Sequence, residues 1–277
     1  MDRIRNIKRI VKGINAVDGA GVKLVRVFGN YDTKDFDPFL MLDAFDSSNP
    51  NDYSKGFPWH PHRGIETITY LIEGDIEHGD SLGNKGSILD GQCQWMTAGS
   101  GIIHQEMPRP AKRMLGLQTW LNLPAKDKMT EPAYNQINDI PSINEGNNII
   151  RVISGSYKDT KGAFEGKFVK PTYLDISMEP NSEWSFEVDT DNTLFIYIFA
   201  GKALFGSDEK EVSEKHAVLF EKGNKFVART TDSNIRFVLL TAKPLNEPIA
   251  WGGPIVMNTR EELEQAFDDL ENGTFIR

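Results

Sequence analysis

The sequence has a single cysteine, Cys93, and lacks any long apolar run. One thiol excludes an internal disulfide and a cysteine-rich zinc site, so the default is a reducing compartment, the cytoplasm. The N-terminus has no apolar stretch of the signal-peptide type, and no segment is long enough for a membrane span. We therefore expect a cytoplasmic protein without a membrane partner, in which Cys93 is a buried structural thiol.

Positive charge is also scarce. The 31 Lys and Arg residues face 40 Asp and Glu, which gives a net charge of −9 and a pI near 5.2. A nucleic-acid backbone is bound by clustered Lys and Arg, so no direct nucleic-acid partner is expected. One basic cluster is predicted to be the solvated edge of an N-terminal strand; it comprises Arg3, Arg5, Lys8, Arg9 and Lys12.

What the sequence does contain favours β-structure. Its 277 residues suffice for two domains, and 24 glycines and 14 prolines supply many turns. Alternating or β-branched runs predict strands at residues 4–12, 22–28, 38–45, 66–72, 88–96, 114–123, 184–188, 194–199, 217–220 and 235–240. A C-terminal helix is predicted from a capping box, an apolar stripe and a terminal glycine: Thr259 and Glu262, then Leu263, Phe267 and Leu270, then Gly273.

The chain divides near its middle. Residues 124–148 are polar, contain three prolines and have little periodicity, which indicates a connection between domains 1–130 and 131–277. Residues 69–74 resemble residues 196–201, an offset of 127 residues (201 − 74). That offset places Glu187 where the first domain has His60, and Asp189 where it has His62. The sequence thus predicts two similar β-domains, of which only the first has imidazoles in this register.

Two short motifs place ionisable side chains on one face of a strand. His60 and His62 are two residues apart, as are His104 and Glu106, and strand side chains alternate with period two. A single His-x-His is more often a surface feature, but the second motif makes a shared site the better interpretation. Three nitrogens and one oxygen would suit Fe(II), Mn, Ni, Cu or Zn.

The roles of other polar and aromatic residues are less clearly indicated by the sequence. Glu66 would face the same way as His62 if the strand between them is regular. Gln118 and Trp120 share one face of a strand, and either face could line a cavity. His78 lies in a polar sequence that resembles a turn, which predicts a surface position. His216 is likewise expected to be a surface or capped strand residue.

The sequence resembles the pirin family. The resemblance is carried by His-Pro-His-Arg-Gly at residues 60–64, Thr-Ala-Gly at 97–99, His-Gln-Glu at 104–106 and Leu-Asn-Leu-Pro-Ala-Lys-Asp-Lys-Met at 121–129. It covers the N-terminal half well and residues 149–242 only loosely. It implies an all-β protein of two cupin, jelly-roll-type barrels, with iron, Fe(II), in the N-terminal one. It also implies His60, His62, His104 and Glu106 as metal ligands, whereas the wider cupin pattern would use Glu66.

The resemblance also implies an activity. Some pirins are similar to quercetin 2,3-dioxygenases, which predicts a metal-dependent enzyme that cleaves a flavonol with O₂. The partners are then a small aromatic substrate and O₂, and Glu106 could act as the base. Two alternatives stay open at this point: a metal- or redox-sensing regulator that binds another protein, and a purely structural metal.

Overall fold

The computed structural model describes residues 2–276 and consists mainly of β-strands. In chain order the strands are β1 Ile7–Val11, β2 Ile14–Asp18, β3 Val22–Phe28, β4 Phe39–Ser47, β5 Phe57–His62, β6 Ile65–Glu73, β7 Ile76–Asp80, β8 Lys85–Ile88, β9 Cys93–Thr97, β10 Ile102–Pro108, β11 Met114–Asn122, β12 Ala133–Ile137, β13 Ser142–Glu145, β14 Asn148–Ser154, β15 Ser156–Tyr157, β16 Thr160–Lys161, β17 Thr172–Met178, β18 Glu183–Glu187, β19 Thr193–Phe205, β20 Lys210–Ser213, β21 Ala217–Phe220, β22 Lys225–Arg229, β23 Ile235–Ala242, β24 Ala250–Gly252 and β25 Ile255–Met257. The helices are α1 Thr33–Phe36 and α2 Arg260–Glu271, with 3₁₀ turns at Asn30–Asp32, Pro50–Asp52 and Ala125–Asp127.

The chain forms two compact units, and each is discontinuous in sequence. The histidine unit comprises Ile14–Thr33, Phe39–Asn138 and Leu245–Arg277, and the aromatic unit comprises Met1–Gly13, Lys34–Pro38 and Asp139–Pro244. The predicted division into 1–130 and 131–277 treats each half as continuous. The structure differs because the N-terminal residues belong with the second half of the chain, whereas the C-terminal residues belong with the first half.

The histidine unit packs two antiparallel sheets against each other. One has the order β12-β9-β6-β11-β4-β3-β2 and the other β5-β10-β7-β8. Apolar side chains from both sheets form a common core, which buries their surface and stabilises the pair; it includes Leu24, Phe45, Leu71, Ile76, Ile88 and Met114. The segment from Leu245 onward adds the hairpin β24–β25 and helix α2 to this unit.

The aromatic unit is built on one ten-stranded sheet. Its main path is β1-β21-β19-β23-β17-β14-β13, and β1 reaches this sheet from the beginning of the chain. Its interior is filled with large side chains, among them Trp184, Phe205, Phe226 and Phe237. β19 lies between β21 and β23, as β6 lies between β9 and β11 in the histidine unit. This equivalence agrees with the offset of 127 residues found in the sequence.

The predicted fold class is confirmed: two β-units and a C-terminal helix. The capping box of α2 is present, because the Thr259 side chain accepts from Glu262 N and the Glu262 carboxylate accepts from Thr259 N. Cys93 is buried, as expected, and burial raises the pKa of its thiol.

Two predictions about the connection and the N-terminus were wrong in part. Residues 124–148 are not a structureless loop, because they contain β12 and β13, which pair with β9 and β14. Arg5 is not solvated but buried, and its guanidinium donates to the carbonyls of Gly223 and Asp189, both at 2.8 Å. Lys8 and Arg9 are more exposed and pair with Asp35.

Across residues 2–276, we find no helix that combines the length and the apolar character needed to cross a bilayer.

Candidate metal centre

Three histidines converge inside the histidine unit. His60 and His62 lie on β5, and His104 lies on the neighbouring strand β10, directly opposite His60 in the ladder. One ring nitrogen of each lies within 4.8 Å of the others. The two Nε2 atoms of His60 and His62 are 3.1 Å apart. The alternation of strand side chains and the register of β5 with β10 therefore bring together the three imidazoles predicted from the sequence.

Backbone carbonyls orient two of the rings. Nδ1 of His60 lies 2.9 Å from the Pro58 carbonyl, and Nδ1 of His62 lies 2.9 Å from the Pro254 carbonyl. A carbonyl only accepts hydrogen bonds, so each Nδ1 carries the proton and donates. Each Nε2 is then left with a lone pair, and the two Nε2 atoms are close to each other. Such a pair of acceptors is stabilised by a shared cation.

His104 provides the clearest sign of a missing partner. Its side chain is fully buried, and neither Nδ1 nor Nε2 has a hydrogen-bond partner among the described residues. Buried polar atoms are nearly always paired, because an unpaired one costs free energy without compensation. A metal ion at the three-histidine cluster would satisfy one of these nitrogens.

The electrostatics keep the rings neutral. Burial lowers the pKa of His60, and burial together with the nearby His60 imidazole lowers that of His62 to about 3. The pKa of His104 is lowered well below its usual value, chiefly by burial and further by the neighbouring imidazoles. Neutral imidazole is the form that binds a metal, so at pH 7 the three rings need lose no proton.

Glu106 lies two residues after His104 and is buried on the same face of β10. The Thr69 hydroxyl donates to its Oε1 at 3.0 Å and also contacts Gln118. Burial raises the pKa of Glu106 to about 7, against the effect of Thr69. Its oxygens are not part of the cluster formed by the three histidines.

Glu66 lies on β6 and is also buried. Thr97 Oγ1 donates to its Oε1 at 2.7 Å, and hydrogen bonding from Thr97 and Trp95 acts against the effect of burial on the pKa of this carboxyl group. Burial raises the pKa of Glu66 to about 7. The regular strand that would relate it to His62 does not exist, because Gly64 has a φ of +78° and separates β5 from β6. Which glutamate is the ligand stays a prediction, with Glu106 preferred.

His78 is not a surface residue, and this prediction was wrong. It points into the unit from β7, on the same face as Ile76 and Asp80, a period-two pattern that the polar sequence obscured. Its Nε2 lies 3.1 Å from Asp80 Oδ2, its Nδ1 lies 3.1 Å from Gln94 Nε2, and its ring stacks on Tyr134. Both nitrogens are occupied, which distinguishes His78 from His104. His216, as predicted, is only partly buried and bonds to the Ser213 carbonyl.

Aromatic residues border the cluster. The Trp120 ring lies edge-on to His62 with centroids 5.0 Å apart, and Trp251 stacks on Trp120 at 5.6 Å. Of the two strand faces that the sequence left open, the one with Gln118 and Trp120 lies toward the cluster, since Trp120 contacts His62 and Gln118 contacts Thr69. Sequence patterns gave no signal for Thr69 or the Pro254 carbonyl, and Thr97 was singled out only as part of the Thr-Ala-Gly motif that carries the family resemblance.

The donor set fits a divalent transition metal. Three neutral imidazoles with a buried carboxyl close by are borderline-hard ligands of the kind used by Fe, Mn, Ni, Cu and Zn. A β-unit that encloses such ligands, followed by a second β-unit of equivalent strand order without them, defines a bicupin with one candidate metal centre.

Comparison with known proteins identifies the family. Residues 21–121 match the family model described as Pirin, and residues 173–276 match the Pirin C-terminal cupin domain. The chain is 41% identical to a pirin-like protein of Caulobacter vibrioides over 98% of this chain and 99% of that protein. It is 37% identical to human pirin, over 92% of this chain and 88% of that protein. The chain belongs to the pirin family.

A solved structure agrees over the whole chain. A quercetin 2,3-dioxygenase from Acinetobacter baumannii superposes with a TM-score of 0.89 and 31% sequence identity, and the match covers 99% of both chains.

Proposed function

We propose that this protein is a metal-dependent dioxygenase, with Fe(II) as the expected metal, that cleaves a flavonol such as quercetin with O₂. The observation that carries the proposal is the cluster of three neutral imidazoles in which His104 is buried and unpaired. The similarity to the A. baumannii quercetin 2,3-dioxygenase supports the substrate class.

In this proposal His60, His62, His104 and Glu106 hold the metal. When bound, the metal supplies a Lewis-acid centre with positions open to substrate and O₂. The protein's own side chains bind and orient the substrate and exclude water from it. The Trp120 and Trp251 rings border the site and offer flat apolar surface to an aromatic substrate.

Glu106 is the proposed proton acceptor. The O–H bond of the flavonol hydroxyl breaks, and the proton moves to a carboxylate oxygen of Glu106. Glu106 would have to loosen from the metal to take this proton. A base works best when its pKa lies near the working pH, and burial places the pKa of the metal-free Glu106 carboxyl group at about 7. The Thr69 hydroxyl, 3.0 Å from Oε1, holds the carboxyl group in position.

The test is turnover with defined metals. The purified full-length protein is loaded with Fe(II), Mn(II) or Ni(II), and the absorbance of quercetin is followed together with O₂ uptake. We expect metal-dependent consumption of both, abolished in His62→Ala and retained in His216→Ala, whose side chain is in the other unit. A protein that binds metal but consumes neither quercetin nor O₂ in any form would contradict the proposal and favour the regulatory alternative.

Glu106→Gln tests the proton acceptor separately. The amide keeps the shape of the side chain but cannot take a proton, so kcat should fall by about 10²–10⁴-fold. Full turnover in a Glu106→Gln protein that retains its metal would exclude this role.

A further inference from the structure

The His62 ring is oriented from the far end of the chain. The carbonyl that accepts its Nδ1–H belongs to Pro254, 192 residues later in sequence. Pro254 lies in the turn between β24 and β25, where Gly253 has a φ of +54°. This turn is part of the C-terminal arm, defined here as residues 245–276. A group supplied by the arm therefore determines which nitrogen of a proposed metal ligand is free.

The arm is joined to the backbone directly after His62. Val256 N donates to the Arg63 carbonyl at 3.1 Å, and Ile255 forms a parallel bridge with Arg63. Gly64 packs so closely that a Cβ at this position would lie 2.0 Å from the Val256 carbonyl oxygen. The hairpin is thus held against the one turn that separates β5 from β6.

Lys128 forms hydrogen bonds both to the turn at Gly64 and to the hairpin β24–β25. Its ammonium donates to the carbonyls of Gly64 and Val256, both at 2.8 Å, and to Asn122 Oδ1 at 2.5 Å. An ammonium has three N–H donors, and the three acceptors use all of them. The side chain is buried, which lowers the pKa of its ammonium to about 7, while the negative charges of Glu247 and Glu262 act in the opposite direction. Burying a lysine is costly, which indicates that its three bonds have a definite role.

The helix of the arm has a second anchor. Arg63 Nη1 lies 2.7 Å from Asp269 Oδ2, and its Nη2 donates to the Phe275 carbonyl at 3.0 Å. The guanidinium also lies 4.2 Å from the centre of the Phe275 ring. The residue after His62 therefore connects to the hairpin of the arm and to the end of its helix.

We propose that the C-terminal arm orients one of the metal-binding side chains and is therefore required for normal metal affinity. The Pro254 carbonyl holds His62 as the Nδ1–H tautomer with Nε2 directed at the metal, and Lys128 is the positioning residue that keeps the carbonyl in place. The inference rests on the metal site of the proposed function but not on its flavonol chemistry. Groups that orient a metal-binding imidazole typically change metal affinity by 10–100-fold when they are removed.

The main test compares Lys128→Met with Lys126→Met in the full-length protein. Lys126 lies in the 3₁₀ turn Ala125–Asp127, which directly precedes Lys128, but its side chain is exposed, so it is a matched control. Nitrogen-15 NMR of metal-free protein labelled at histidine reports the His62 tautomer without any metal. Wild type and Lys126→Met should show His62 protonated only at Nδ1, and Lys128→Met should show a mixture of tautomers.

The second readout is nickel affinity, measured by competition with a chelator. Lys128→Met should bind Ni(II) about 10–100-fold more weakly than wild type, and Lys126→Met should be unchanged. If Lys128→Met does not fold, Asp269→Asn loosens the arm at its other anchor, with the exposed Arg260→Ala on the same helix as its control. Asp269→Asn should then weaken Ni(II) binding in the same direction.

A folded Lys128→Met protein with an unchanged His62 tautomer and wild-type nickel affinity would overturn the inference. If Lys128→Met is unfolded, unchanged affinity and tautomer in Asp269→Asn would do the same. Absence of nickel binding in wild type would instead contradict the proposed function, while the tautomer comparison would still decide the role of the arm.

Discussion

His104 and His78 are buried side by side, with ring centroids 5.5 Å apart, yet only one lacks partners. Asp80 and Gln94 occupy both nitrogens of His78, so its ring has no free lone pair for a metal. At the residue scale, hydrogen-bond satisfaction therefore favours His104 over His78 as the proposed metal ligand.

This difference predicts opposite effects of two similar substitutions. His104→Ala should reduce Ni(II) affinity more than 100-fold, beyond the usual effect of removing a supporting group. His78→Ala should cost about 1–3 kcal/mol of stability, because Asp80 and Gln94 lose a partner, but should retain nickel within about tenfold. Chelator competition and urea unfolding measure the two quantities. Equal loss of nickel in both variants would show that His78 is a ligand.

Proton release can identify the carboxylate ligand. In metal-free protein at pH 7, Glu106 and Glu66 each have a pKa of about 7 and are about half protonated, whereas the three imidazoles are neutral. A carboxyl group that binds the metal must lose its proton, so binding should release about half a proton at pH 7. Affinity should accordingly rise with pH from 6 to 8.

Calorimetry in buffers of different ionisation enthalpy measures this release. We expect it to disappear in Glu106→Gln and to persist in Glu66→Gln. The reverse result would make Glu66 the ligand.

Much of the site could be predicted at this scale, and some could not. His60, His62 and His104 follow from the period-two pattern, because ligands on one strand face converge when the strands pair. Pro254 and Lys128 could not be predicted, since a backbone carbonyl has no sequence signature and both act across long sequence separations.

At the scale of elements, the turn between β5 and β6 determines where the histidines and Glu66 lie. Gly64 adopts a left-handed conformation that residues with a Cβ rarely adopt, and it also packs against the Val256 carbonyl. A regular strand would have placed Glu66 on the same face as His62. The turn interrupts the strand, so the alternation of side chains does not continue from His62 to Glu66.

Two glycines separate the effect of conformation from that of packing. Gly83 also has a positive φ, +89°, but a Cβ added there would have no other atom within 4 Å. Gly83→Ala should cost about 1 kcal/mol. Gly64→Ala should cost about 1–3 kcal/mol more, because the methyl group overlaps Val256, and it should weaken nickel binding. Urea unfolding and chelator competition on both variants test this. Equal stability losses would contradict the packing argument.

The C-terminal helix and strands with strong apolar or β-branched runs, such as β3, β4, β11 and β23, were predictable because their signals are local. The capping box and apolar stripe were sufficient for α2. β12 and β13 were not predictable, because their polar sequences become strands only by pairing with β9 and β14.

At the scale of the whole molecule, two equivalent β-units have different interiors. The internal repeat predicted this equivalence, and it places Glu187 and Asp189 of the aromatic unit where the histidine unit has His60 and His62. Trp184, Phe205, Phe226 and Phe237 are part of the hydrophobic core of the aromatic unit. The discontinuity of both units could not be predicted, since it depends on pairing between β1 and β21 and on the path of the C-terminal arm.

The most direct test of the three-histidine metal centre is the metal content and X-ray absorption spectrum of the nickel-loaded, full-length protein. We expect one ion per chain, with a spectrum that requires three imidazole nitrogens and at least one oxygen ligand. Less than stoichiometric binding, or a spectrum with no more than one imidazole, would contradict the assignment of His60, His62 and His104 as the metal centre.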